Sequence, residues 1–224
     1  MVVYGPAGVG KTTLASSAQD STYGKDVFFI DIEAGTRSIS DRGDITVFKP
    51  NDWLDISGVY KYLSEEKHGF RTVVIDSLTE AQRYSLEYAM RSAKNPEFPG
   101  LQDYGKSNEQ LVRLVRSFKA LSQTKGYTII FTALEREDKD ENTGVVSIGP
   151  ALSPKAQEGV CGAVDCVARL TVNREGERVL QLAPRGATIA KFRAPITGVR
   201  LPDEMKSPNM RIILANLRGE AVAA

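Results

Sequence analysis

The run Gly5-Pro6-Ala7-Gly8-Val9-Gly10-Lys11-Thr12-Thr13 constrains this chain more than any other stretch. It fits G-x-x-x-x-G-K-[ST], a loop whose backbone N–H groups turn inward around a β-phosphate. In that pattern Lys11 reaches the β- and γ-phosphates and the Thr12 hydroxyl binds Mg²⁺. Val2-Val3-Tyr4 enters the loop as a short strand. Residues 11–18 leave it as a helix, whose N-terminal partial charge favours phosphate. Strand, phosphate loop and helix in this order predict an α/β core that binds ATP and Mg²⁺.

The first half of the chain sets short apolar runs between helical stretches. Residues 26–32 (DVFFIDI), 45–48 (ITVF), 72–76 (TVVID) and 127–133 (YTIIFTA) predict strands. The first is apolar almost throughout, as a strand buried on both faces should be. Pro50-Asn51-Asp52 starts a helix over 53–63. Leu78, Ala81, Tyr84 and Tyr88 mark one face of a helix over 77–91. Leu111, Leu114, Val115, Phe118 and Leu121 mark a long amphipathic helix. Residues 92–106, with Pro96, Pro99, Gly100 and Gly105, predict a loop. The charge run 135–142 (EREDKDEN) predicts a solvated loop. In the last third, residues 164–172 and 177–182 form a hairpin around a turn at 173–176. A strand near 188–192 and a helix from Ser207-Pro208 to Leu217 follow. The expected fold is one α/β domain over 1–224: a mostly parallel sheet flanked by helices, with an antiparallel hairpin in the C-terminal third.

Composition narrows the function. The formal net charge is +1, whereas non-specific DNA binders are usually basic overall. Any nucleic-acid contact then needs a local basic stripe or several subunits acting together. No apolar run approaches the ~20 residues of a membrane helix. Met1 leads straight into the first strand, so no signal peptide is expected; whether residues are missing upstream stays open. The expected location is the cytoplasm. Cys161 and Cys166 are too few for a zinc site and unlike a disulfide framework. They fit small buried residues in a reducing compartment. The lone histidine, His68, lies in a polar stretch and predicts a solvated surface residue, which leaves histidine-based catalysis and metal binding without support.

Phosphoryl transfer from ATP needs an acid for the Mg²⁺ shell, a base to orient water, and positive charge for the transition state. Asp76 ends the strand 72–76, in the crevice where α/β proteins bind ligands. It is the candidate for the metal shell, with a helix-capping turn acid as the alternative. Ser77 follows it, not Glu, so the base must come from elsewhere. Glu33, just after the strand 26–32, is the first candidate, against a surface turn acid before Ala34-Gly35. Asp31, on the same strand face, is a second candidate base or the partner of a basic group. Thr132, near the end of the fourth strand, senses the γ-phosphate, holds the water, or is a β-branched residue packed in the sheet. Lys191 and Arg193 in IAKFR share one face of a strand. They form a clamp for an anion or a solvated strand edge.

Together these residues resemble the RecA/DnaB branch of P-loop ATPases, over about residues 1–193. In that branch a glutamate after the second strand activates water, as Glu33 would. An Asp-Ser pair often closes the strand of the metal-shell acid, as Asp76-Ser77 does. The tract IAKFRAPITG is similar to the one that supplies a lysine and an arginine finger to a neighbouring subunit in replicative helicases. The resemblance implies that Lys191 and Arg193 act in trans within a homo-oligomer, ring or filament. The compact length and the Asp103-Tyr104-Gly105 element are most similar to phage-encoded RecA-core (Sak-type) ATPases of single-strand annealing and recombination. The implied activity is a Mg²⁺-dependent ATPase acting on single-stranded DNA, in a host cytoplasm, with a single-strand-binding protein as a further partner.

RecA-type filaments hold DNA through two loops, whose counterparts here are 92–106 and 135–149. The first offers Lys94, Phe98, Tyr104 and Lys106 to stack on bases and meet phosphates. The second carries Glu135, Glu137, Asp138, Asp140 and Glu141, which repel a phosphate backbone and are only partly offset by Arg136 and Lys139. The N-terminal oligomerisation element of full recombinases has no counterpart in the sequence. Two other readings stay open. One is an ATP-gated module that binds proteins, favoured by the neutral charge and these acids. The other is a small-molecule P-loop kinase, against which stands the lack of an arginine-rich lid.

Overall fold

Along the central strands, successive side chains point to opposite layers. In β1 (Val2–Gly5), Val2 and Tyr4 join one apolar cluster and Val3 the other. In β2 (Val27–Asp31), Phe28 and Ile30 oppose Val27 and Phe29 in the same way. The first cluster is closed by α2 (Trp53–Glu65), α3 (Leu78–Met90), α4 (Leu101–Lys125) and α5 (Pro154–Ala163). The second is closed by α1 (Lys11–Ser16) and α6 (Met210–Leu217). Coverage of both faces is why these strands are apolar throughout rather than alternating. This computed structural model describes residues 1–92, 97–141, 144–193 and 201–220.

The sheet runs in the order β10 (Glu204–Lys206), β8 (Arg178–Gln181), β7 (Cys166–Val172), β1, β5 (Thr128–Lys139), β4 (Thr72–Asp76), β2 and β3 (Thr46–Phe48). From β7 to β3 every neighbour is parallel, whereas β8 and β10 are antiparallel. The fold is therefore a mostly parallel α/β sheet flanked by helices, with an antiparallel hairpin late in the chain. The carboxyl ends of β1, β4 and β2 lie side by side around β5, and that crevice is where such sheets bind ligands.

Helix ends follow local chemistry. Asp52 caps α2 by accepting from the Leu54 and Asp55 N–H groups at 2.8 and 3.1 Å. Lys11 opens α1, which is shorter than expected and passes into a 3₁₀ turn over Ser17–Asp20. The loop expected over 92–106 is corrected: α4 already begins at Leu101. The Asp103 carboxylate accepts from the Gly100 N–H at 3.0 Å, satisfying an orphan donor of the first turn. Tyr104, Gly105 and Lys106 are therefore helical, and Lys94 lies outside the described residues.

The charge run is also corrected. β5 continues to Lys139 and pairs antiparallel with β6 (Val146–Pro150), from Glu135 opposite Pro150 to Lys139 opposite Val146. A ribbon that leaves the sheet needs backbone pairing but no apolar face, so its sequence carries no strand periodicity. Glu135 is not a free acid: it makes a bidentate pair with Arg169 on β7, at 2.7 and 3.0 Å. His68 is not simply solvated. Its ring packs near Tyr62, Phe70 and Tyr127, one nitrogen lies 2.8 Å from the Tyr127 hydroxyl, and the other accepts from the Phe70 N–H. Among the described residues no helix is long and apolar enough to cross a membrane.

Candidate active site

The chain turns sharply at the end of β1, and glycine is required there. A Cβ on Gly5 would lie 2.2 Å from the Leu170 carbonyl oxygen of β7. Gly10, the residue just before α1, has φ +101°, a conformation that L side chains rarely adopt. A cavity of about 370 Å³ opens over this loop. Ala7, Gly8, Gly10, Lys11, Thr12 and Thr13 line one side. Glu33, Gly35 and Ser38 line another, with Leu134 and Arg178 completing it. A larger groove between α4 and α5, about 810 Å³, holds none of the expected catalytic groups.

Lys11 is 5% exposed, and its Nζ donates to the carbonyls of Gly5 and Pro6 at 3.1 and 2.9 Å. Burial lowers its pKa, while Glu33 and Asp76 pull it back up. Gly5 and Pro6 thus meet the lysine rather than the cavity, and the Val9 side chain packs into the core. Thr12 Oγ1 donates to Asp76 Oδ2 at 2.7 Å. Burial raises the pKa of Asp76, against the bonds from the Thr132 and Thr12 hydroxyls. A hydroxyl and a carboxylate in contact at the loop are the hard oxygen donors that Mg²⁺ accepts, with phosphates and water completing its shell. Among the described residues no group of three or more His, Cys, Asp or Glu forms a metal site by itself. A cation here would be held by Thr12, with Asp76 behind it, and when bound it would offset phosphate charge.

Thr132 is fully buried, and its hydroxyl donates to the Asp76 carboxylate. It packs within the sheet and orients that acid, and it does not line the cavity. Asp31 is also accounted for. Its carboxylate accepts from the Gly35 and Thr36 N–H groups at 2.9 and 3.4 Å and from the Thr36 hydroxyl at 2.6 Å. Lys49 lies 3.9 Å away. Asp31 therefore builds the turn after β2 and lies beside a basic group, the alternative its position allowed.

Glu33 is held at both ends by the last residue of β4 and the one after it. Its N–H donates to the Asp76 carbonyl at 3.2 Å, and its carboxylate accepts from the Ser77 hydroxyl at 2.6 Å. Ser77 also caps α3. The Ser77–Glu33 bond links two motifs whose sequences give no sign of touching. Arg178 is the other residue that the sequence did not mark. Its Nε–H donates to the Val9 carbonyl at 2.9 Å, inside the phosphate loop. On the sequence it is one residue of a predicted hairpin arm, and only the pairing of β8 with β7, beside β1, brings it to the loop.

Lys191 and Arg193 lie at the other end of the sheet. β9 (Lys191–Phe192) pairs antiparallel with the start of β7, with Lys191 opposite Val167, itself level with Val2. With a strand rise of about 3.3 Å per residue, the Lys191 backbone sits ~10 Å short of Gly5 along the sheet. The Lys191 ammonium donates to the Cys161 carbonyl and, at 3.4 Å, to that of Gly162, at the end of α5. Arg193 borders a cavity of about 380 Å³ with Met1, Asp165 and Arg218. Neither cation joins the phosphate loop of its own chain. Of the expected DNA-contacting residues, Phe98 is 70% and Tyr104 44% exposed, and Lys106 lies 3.9 Å from Asp103.

No curated protein matches the chain in sequence. A family model described as an AAA domain matches residues 1–194, and with the phosphate loop, the parallel sheet and the buried acid beside them, the chain belongs to that family of AAA-type P-loop ATPases.

Proposed function

We propose that the chain is a Mg²⁺-dependent ATPase of RecA-like, Sak-type character that acts on single-stranded DNA as an oligomer. In this reading Lys11 and the loop N–H groups hold the phosphates, and Thr12 and Asp76 hold the metal shell. Glu33 takes the proton of the attacking water. Lys191 and Arg193 supply charge to the γ-phosphate of a neighbouring subunit, where an arginine finger contributes about 10³-fold or more in rate. One observation carries the reading: the acid and the phosphate loop share one end of the sheet, while the two candidate fingers lie at the opposite end. A site divided in this way works when copies stack head to tail. Exposed Phe98 and Tyr104 near the start of α4 support a stacking contact with unpaired bases.

A second reading has its own observation. The β5–β6 ribbon carries exposed Glu137 and Glu141 and leaves Val145 62% exposed, which suits a protein partner better than a phosphate backbone. The two readings separate in one assay, ATP turnover with and without single-stranded DNA at low and moderate salt. Stimulation that weakens with salt supports the DNA reading. Turnover that DNA leaves unchanged, with no salt-dependent binding, rejects it in favour of the protein partner.

A further inference from the structure

We infer that Arg178 is a second cation on the bound nucleotide, acting in cis on its phosphates beside Lys11. The inference rests on the reading that the loop cavity binds a nucleoside triphosphate. Arg178 lines that cavity, and its guanidinium packs against the loop at Gly10. A Cβ at Gly10 would come within 2.6 Å of its Nε and 3.2 Å of its Nη2. Any side chain at that position would push the guanidinium away.

One donor is spent on the loop, since Nε–H bonds the Val9 carbonyl at 2.9 Å. The two terminal nitrogens have no hydrogen-bond partner within the chain among the described residues, and no acid there pairs with the guanidinium. The nearest acid in sequence, Glu177, is committed elsewhere: it accepts from Asn173 at 3.0 Å and pairs with Lys206 at 3.1 Å. An arginine fixed by its Nε presents its Nη edge as a rigid fork, the geometry that suits phosphate oxygens. A tie that only closed the loop would need one donor, and a lysine or glutamine would provide it. Two donor nitrogens without a partner, on a residue that borders the cavity over the phosphate loop, are what a ligand contact requires.

The test compares the chain with its Arg178→Ala and Arg178→Lys variants. Affinities for ATP and for inorganic tripolyphosphate, each with Mg²⁺, are measured by calorimetry, alongside the melting temperature without ligand. The expected result is a loss of about tenfold or more for both ligands in Arg178→Ala. Arg178→Lys should fall between the two, and unliganded melting should barely move. Unchanged affinity for both ligands overturns the inference. So does a loss for ATP alone, which would place the guanidinium on the nucleoside. A lowered unliganded melting temperature with no loss of affinity reduces Arg178 to a structural tie and also overturns it. If the parental chain binds neither ligand, the nucleotide site itself fails and the inference falls with it; parental binding with an indifferent Arg178→Ala sinks the inference alone.

Discussion

At the carboxyl end of the sheet, side chains from separate elements are knitted together. Thr12 and Thr132 both hold Asp76, Ser77 holds Glu33, and Asp31 is enclosed by its own turn. At the amino end, Lys191 rests on the last carbonyls of α5 and Arg193 borders an open cavity. A closed network fixes oxygen atoms in place before any ligand arrives, as chemistry on a phosphate demands. A cation at an open rim serves whatever docks against it. In the proposed reading, one end of each subunit is prepared for a nucleotide and the other for a neighbour.

The sharpest way to break this contrast is Arg193→Ala. If the amino end acts in trans, ATP turnover falls about 10³-fold while nucleotide binding to the same chain is unchanged. A chain that is monomeric and still hydrolyses ATP at the parental rate ends the two-ended picture. Glu33→Gln comes next, with turnover down at least about 10²-fold and ATP still bound. Mixing the two variants is more informative than either alone, because some interfaces then pair an intact Glu33 with an intact Arg193. Turnover should partly return in the mixture; two inactive proteins that stay inactive together argue against a shared site.

The carboxyl end was largely legible in the sequence, and the reason is physical. A phosphate loop needs glycines at fixed positions, and a buried strand that ends in an acid is conspicuous because acids are costly to bury. Strand and helix periods located β1, β2, β4, α2 and the start of β5 to within a few residues. What was not legible depended on partners distant in sequence. Arg178 reaches Val9 across 169 positions, and Ser77 reaches Glu33 across 44. The run 135–142 gave no strand signal because its ribbon stands off the sheet and buries no regular face. Tyr104 was expected in a loop because Pro99, Gly100 and Gly105 suggested one, yet Asp103 is well placed to start a helix.

That helix start offers a smaller test at the prepared end. Tyr104→Ala should weaken binding to single-stranded DNA about tenfold, within the range of one lost base stack. Basal ATP turnover without DNA should stay as it was, since Tyr104 does not border the loop cavity. Equal DNA affinity for variant and parent would leave α4 outside any DNA path.

The smallest effect concerns the link between the two ends. Tyr4 lies one residue before Gly5, fully buried, and its hydroxyl is shared between the carbonyls of Ile148 and Ile189 at 3.1 and 2.7 Å. Ile189 is two residues before Lys191, so this hydroxyl connects the strand of the phosphate loop to the segment that carries the candidate fingers. Tyr4→Phe removes the donor shared by the two carbonyls, of which Ile148 still accepts from the Ile189 N–H at 2.8 Å, and should cost about 1 kcal/mol of stability at neutral pH. Burial also pushes the Tyr4 pKa well above its ordinary 10.0. Below that ordinary value the phenol is protonated in both folded and unfolded chains and adds no pH dependence. Above it the unfolded chain loses the proton while the native one keeps it, so stability falls as pH rises. Urea melts of parent and Tyr4→Phe should therefore differ at pH 8 and converge, or cross, toward pH 11. A gap that stays constant across that range would mean that the Tyr4 hydroxyl reaches solvent, and that the link between the two ends is carried by the backbone pairing of β9 with β7.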